Sequence, residues 1–279
     1  MKTVCTLLEL RSERDKLSGP VGLVPTMGFL HRGHLSLVQA ARAQNANVAV
    51  SIFVNPTQFA LGEDLEDYPR DLDRDLAVLE AEGVDLVWTP DIGDVYPSGY
   101  QTYVSVEQIT RGLEGVRRPS HMRGVTTVVA KLFIAFTPDR AYFGQKDAQQ
   151  VCAVRRMVSD LGFMVKVVVC PTVREPDGLA LSSRNTYLKS EQRQASTVLF
   201  RALTAAHADF GEGQRDGDKL RALMADVIAS EPLAVPQYMS VADLDTFEEL
   251  QQLPERALAS LAVRIGDAVL IDNILLGEI

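Results

Sequence analysis

His31 and His34, two of the chain's four histidines, stand three residues apart with Gly33 between them, in the run Thr26-Met27-Gly28-Phe29-Leu30-His31-Arg32-Gly33-His34. An apolar segment, residues 21–25, precedes this run, and amphipathic positions Leu35, Leu37, Val38 and Ala41 follow it. Strand, glycine-bearing turn, then helix: that order puts backbone N–H groups and two imidazoles at a helix N-terminus. Such an end carries unpaired donors and partial positive charge, so it seats phosphate. Gly33 lets a ligand approach the backbone closely. Imidazole donors can hold phosphate oxygens, although either histidine could instead be a satisfied structural one. Zinc is disfavoured, because no third ligand stands at a recognisable spacing.

Four further segments carry chemistry-bearing residues. Asn55-Pro56-Thr57-Gln58-Phe59 is either a plain turn or a pair of neutral amides that read hydroxyl and carboxylate groups. Gly144-Gln145-Lys146-Asp147 offers a lysine at a strand's carboxyl end, solvated or phosphate-facing, with Gln149 and Gln150 on the next helical turn. In Leu181-Ser182-Ser183-Arg184-Asn185, the serines read as helix caps or, with the guanidinium, as a triphosphate clamp. Residues 117–124, Arg-Arg-Pro-Ser-His-Met-Arg-Gly, read as a basic loop, either a solvated turn or a flap over anionic ligands.

The elements that must position these residues alternate. Strands are expected at 21–25, 48–54, 84–88, 141–143 and 165–170, and helices at 35–44, 71–82, 125–136 and 148–161. The run VAVSIFV is nearly continuous in β-branched and aromatic residues, as in a parallel strand covered on both faces. This is the pattern of an α/β fold, a Rossmann-like parallel sheet whose ligands sit at the carboxyl ends of its strands. The residues that follow those ends should therefore share one edge. Past the turn at Arg174–Gly178 the order changes to helices at 190–210 and 218–230, then strands at 236–241, 259–265 and 268–274. The expected division is a sheet domain, 1–172, and a smaller C-terminal α+β domain, 173–279, forming a lid over the site.

A chain of 279 residues with net charge -9 does not present a general nucleic-acid surface. Its longest apolar run, 125–136, is interrupted by Lys131, so no membrane span is expected. Residues 1–10 do not read as a signal peptide. Cys5, Cys152 and Cys170 lack metal or redox spacing and read as plain thiols suited to a reducing cytoplasm.

Taken in order, VPTMGFLHRGH, FVNPTQF, YPRDLDRD, RPSHMRG, FGQKDAQQ, PTVREPDGLALSSRN and the closing IDN at 271–273 resemble the pantoate–β-alanine ligase family. That family lies within the nucleotidylyltransferase-like superfamily marked by HxGH. The resemblance implies ATP-dependent condensation of pantoate with β-alanine through a pantoyl adenylate, with Mg²⁺, in a cytoplasmic homodimer. It implies that His31, His34 and Lys146 serve the adenylation step. Met27, Gly144, Asp147, Val173, Ser182, Ser183 and Arg184 would complete the ATP site. Pro25, Thr26, Met27, Gln58 and Gln150 would hold pantoate. Asn55, Gln58, Arg118, His121 and Arg123 would order the pocket and the amine, and Asp75 would stand in the Mg²⁺ environment. Several residues depart from the family's usual pattern: Phe29, Arg32, Arg74, Ser120, Met122 and Leu181. A plain nucleotidyltransferase and a non-catalytic nucleotide sensor are the competing readings. The amides at Gln58 and Gln150 argue against the first, and the full cationic set against the second.

Overall fold

The computed structural model describes residues 1–59 and 65–277. Six strands form one sheet in the order β1-β4-β3-β2-β5-β6: β1 (Lys2–Val4), β2 (Val21–Thr26), β3 (Asn47–Ile52), β4 (Leu86–Trp88), β5 (Arg140–Gly144) and β6 (Lys166–Cys170). Every pairing is parallel. The carboxyl ends of all six strands therefore lie on one edge, as expected. The chain winds one way from β2 to β4 and the other way from β5 to β6, so the strand order reverses between β2 and β5. Open α/β sheets bind ligands at such a reversal.

The helices accompanying this sheet are α1 (Leu7–Arg14), α2 (Arg32–Gln44), α3 (Leu72–Ala81), α4 (Ile92–Val95), α5 (Glu114–Arg117), α6 (His121–Phe136) and α7 (Ala148–Leu161). A core of Val24, Val48, Val50, Val87 and Tyr142 from the strands closes against Leu37, Val38 and Ala41 of α2 and Leu79 of α3. The N-terminal pair β1 and α1 has no counterpart among the elements read from the sequence. A Thr6–Glu9 capping box starts α1, which buries only Leu10, so its apolar periodicity is weak.

Two expectations are corrected. Residues 117–124 are a loop only at 118–120: Arg117 ends α5, and His121 to Gly124 form the first turn of α6. The basic composition hid a helix start whose inner residues, Met122 and Gly124, are buried. The single helix expected over 190–210 is two, α8 (Ser190–Ala195) and α9 (Val198–Gly211). At the break the Ser196 and Thr197 hydroxyls donate to the carbonyls of Arg193 and Gln194 (2.7 and 2.9 Å). Such local bonds compete with the helical ladder.

Contacts divide the chain into two compact units, one of 1–144 and 153–171, the other of 145–152 and 172–277. The second contains an antiparallel sheet, β7 (Ala234–Ala242), β8 (Ala257–Ile265) and β9 (Ala268–Leu276), in sequential order. Every second residue of β8 (Ala257, Ala259, Leu261, Val263, Ile265) joins a core with Leu199, Leu203 and Phe210 of α9 and with Leu220, Met224 and Ile228 of α10 (Gly217–Ala229). That is the period of a strand with one face on helices. No helix among the described residues is long and apolar enough to cross a membrane.

Candidate functional site

In the first unit, Thr26 closes β2 and donates its hydroxyl to the Ser51 carbonyl (2.8 Å). Gly28 and Phe29 then turn through positive φ (85° and 50°), and Asp75 of α3 locks the turn. Its two carboxylate oxygens accept the N–H groups of Phe29 (2.6 Å) and Leu30 (2.8 Å). Burial pushes the Asp75 carboxyl above its usual range, and the two N–H donors pull against that.

His31 is the N-cap of α2, and the cap is reciprocal. Its Nδ1 accepts the Gly33 N–H (3.1 Å), while Nδ1 of His34 accepts the His31 N–H (3.3 Å). The rings stack with centroids 4.0 Å apart. A ring nitrogen that accepts carries no proton, so the neutral form of each imidazole keeps its proton on Nε2. Both rings are thereby fixed as Nε2–H donors at a helix N-terminus, at the edge where the strand order reverses.

The second constellation follows β3. Asn55 is 1% exposed and caps a 3-10 turn, Pro56–Gln58. Its Oδ1 accepts the Thr57 N–H (3.3 Å) and the Tyr96 hydroxyl (2.9 Å), and its Nδ2 donates to the Gly124 carbonyl (3.1 Å) and to Gln58 Oε1 (3.1 Å). The backbone partners identify the two ends of the Asn55 amide, and Asn55 in turn orients Gln58. The Gln58 NH2 group therefore points away from Asn55, donating to the Met27 sulfur (2.9 Å). The Gln58 carbonyl receives Arg118 Nη2 (3.2 Å) and His121 Nδ1 (2.9 Å). Burial raises the Tyr96 phenol to about 12, with the Thr57 and Asn55 bonds opposing the shift.

In the second unit, Lys146 lies in a 3-10 turn, Gln145–Asp147, with Nζ 3.4 Å from the Asp147 carboxylate. Ser182 caps another 3-10 turn, Ser183–Tyr187, by accepting the Arg184 N–H (3.3 Å), and Ser183 is buried. Val173 pairs its carbonyl with the Leu181 N–H (3.0 Å) just before that turn. Gln149 is buried and Gln150 half-buried on the first turn of α7.

The first unit thus brings Thr26, Met27, His31, His34, Asn55, Gln58, Arg118, His121 and Asp75 onto the turns after β2 and β3 and the elements that brace them. Pro25 lies within β2, and Gly144 ends β5 at the same edge. Arg123 is exposed, with its guanidinium 4.7 Å from the Tyr103 ring. Two departures from the family pattern meet each other: the Arg74 guanidinium lies 5.5 Å from the Phe29 ring and donates to the Leu30 carbonyl (3.0 Å). Asp75 braces the turn through its backbone hydrogen bonds. Both its oxygens already serve backbone N–H groups, and the described residues contain no metal-binding group of three His, Cys, Asp or Glu. Sequence reasoning missed Tyr96, whose Tyr-Pro context carries no signal of the bond it makes 41 positions upstream.

The family profile described as Pantoate-beta-alanine ligase matches residues 1–275. A pantothenate synthetase of Roseiflexus sp. (strain RS-1) is 60% identical over 276 residues, covering 99% of this chain and 99% of the relative. The crystal structure of a pantothenate synthetase from Thermus thermophilus matches with a TM-score of 0.94 at 48% identity, covering 98% of this chain and 99% of that one. A pantoate-beta-alanine ligase from Francisella tularensis, complexed with beta-gamma ATP and beta-alanine, matches with a TM-score of 0.82 at 35% identity, covering 99% and 97%.

Proposed function

The chain belongs to the pantoate–β-alanine ligase family, and from that membership we propose how its residues carry out the reaction. The enzyme condenses pantoate with β-alanine at the expense of ATP. A pantoate carboxylate oxygen bonds to the α-phosphorus, the bond to the bridging oxygen breaks, and pyrophosphate leaves. The β-alanine amine then bonds to the acyl carbon, loses a proton, and AMP leaves with the electron pair of the acyl–oxygen bond.

The first step joins two anions, so the site must supply donors and cations where charge develops. The His31–His34 cap at the sheet's reversal point is the observation that carries this reading. Its two Nε2–H groups hold phosphate oxygens as donors and not as bases. Lys146 neutralises charge near the transferring phosphorus. Ser182, Ser183 and Arg184 grip the triphosphate, with Met27, Gly144, Asp147 and Val173 beside the nucleotide. Gln58, its NH2 group directed by Asn55, and Gln150 fix pantoate against Pro25, Thr26 and Met27. Arg118 and His121 hold the Gln58 turn through its carbonyl, and so order the pocket that also receives β-alanine, with Arg123 beside it. We place Mg²⁺ on the triphosphate as part of the substrate, since such ions lean on phosphates and water. The homodimer and the cytoplasmic setting rest on the family.

Labelled pyrophosphate should exchange into ATP when pantoate is present and β-alanine absent, and adding β-alanine should release AMP. Lys146→Ala should slow the exchange about a hundredfold or more, the scale for losing one transition-state donor. Exchange without pantoate, or an unchanged rate in the variant, would refute the assignment.

A further inference from the structure

The closing motif Ile271-Asp272-Asn273 has no substrate to hold in the proposed reaction, yet it reaches both nucleotide-holding segments of the second unit. Asn273, on β9, is 4% exposed, and its amide is fully engaged. Nδ2 donates to the carbonyls of Gln145 (3.0 Å) and Lys146 (2.8 Å), and Oδ1 accepts Gln145 Nε2 (3.0 Å). Asp272 points to the other face of the strand, as alternation requires. There it takes the Arg174 guanidinium in a two-pronged pair (2.6 and 3.0 Å). Arg174 also donates to the carbonyls of Gly178 (3.0 Å) and Asn273 (3.3 Å) and lies 4.5 Å from the Phe200 ring.

Arg174 pairs with Ala180 in an antiparallel bridge, so its guanidinium clasps a hairpin whose outgoing arm runs straight into Ser182–Arg184. Gly178 at the tip has φ +92°, and a Cβ there would sit 1.9 Å from Phe200 Cδ1. The hairpin can lie this close to α9 only with glycine at that position. Two adjacent residues of one strand thus fix the Lys146 turn on one face and the approach to the serine turn on the other.

We propose that Arg174, Asp272 and Asn273 are positioning residues of the adenylation step, setting the Lys146 turn and the Ser182–Arg184 turn in a common register. The proposal rests on the roles assigned to Lys146 and the serine turn. Misplacing a phosphate-holding group by about 1 Å can cost on the order of a hundredfold in rate. A network that only stabilised the fold would not single out one substrate.

The test measures pantoate-dependent pyrophosphate exchange with separate titrations of ATP and pantoate, alongside urea unfolding, on the full chain. Asn273→Ala should lower exchange about tenfold or more and raise the ATP KM, with the pantoate KM changed less than about twofold. Gln145→Ala reaches the same contact from a half-buried residue, keeps the test alive if the first variant does not fold, and should show a smaller loss of the same kind. The double variant should be no worse than Asn273→Ala alone, because both remove one interaction. Equal rises in both KM values, or full additivity, would overturn the proposal. A normal Asn273→Ala beside an impaired Lys146→Ala overturns the positioning role alone. A normal Lys146→Ala overturns the reading of Lys146 and this inference with it.

Discussion

Asp75, which the family resemblance sets in the Mg²⁺ environment, braces a backbone turn in the fold. Its oxygens replace the partners that the Phe29 and Leu30 N–H groups would otherwise lack at a left-handed turn. Asparagine keeps one acceptor but turns an NH2 group toward the other N–H. Asp75→Asn should therefore lose about 1–3 kcal/mol of stability in urea unfolding, the cost of one unsatisfied buried donor. The Mg²⁺ concentration giving half-maximal activity should stay where it is; a marked rise would restore Asp75 to the metal. That His31, His34, Gln58 and Lys146 stand shortly after strand ends was legible from the apolar runs that precede them. What Asp75 and Tyr96 do was not, because each makes its bond to a residue 41 or more positions away.

At the scale of elements, the placement of α6 decides the shape of the amide turn. A Cβ on Gly124 would lie 2.5 Å from the Thr57 carbonyl oxygen and 2.6 Å from the Gln58 nitrogen, so helix and turn touch backbone to backbone. Gly124→Ala should cost about 1–3 kcal/mol, the usual range for overpacking a closed contact. Because the displaced atoms belong to Thr57 and Gln58, the pantoate KM should rise severalfold while the ATP KM holds; steady-state titrations of each substrate check this. Parallel changes in both would mean that the strain spreads through the unit. The apolar period of α6 was readable from Val125 onward. Its true start was not, since His121, Met122, Arg123 and Gly124 carry no helical pattern and a glycine's reason for being there is its neighbour.

For the whole molecule, the fold class followed from the continuous apolar runs of β2 and β3, which only a sheet covered on both faces explains. The grouping of 145–152 with the C-terminal sheet was beyond such reasoning, because it depends on Asn273 meeting a turn 128 positions earlier. Alkaline stability also belongs to this scale. The Tyr96 phenol keeps its proton in the folded state up to about 12, while in the unfolded chain it titrates near its ordinary value of 10.0. Between those values the unfolded state holds fewer protons, so stability falls as pH rises. Burial shifts Tyr100 and Tyr142 in the same direction. Urea midpoints across that window should decline in the parent protein and decline less steeply in Tyr96→Phe. Equal slopes would mean that Tyr96 is ionised alike in both states.

The reciprocal imidazole cap has an evolutionary consequence. A helix start is usually free to drift among Ser, Thr, Asp and Asn, which serve it equally well or better. In the proposed reaction the atoms that finish the helix and the atoms offered to the nucleotide belong to the same two rings. A change such as His31→Asp would improve the helix while setting a negative charge against a triphosphate. Selection for robustness and selection for turnover therefore pull on these two positions in opposite directions, and a stability-driven redesign of this protein should leave them untouched.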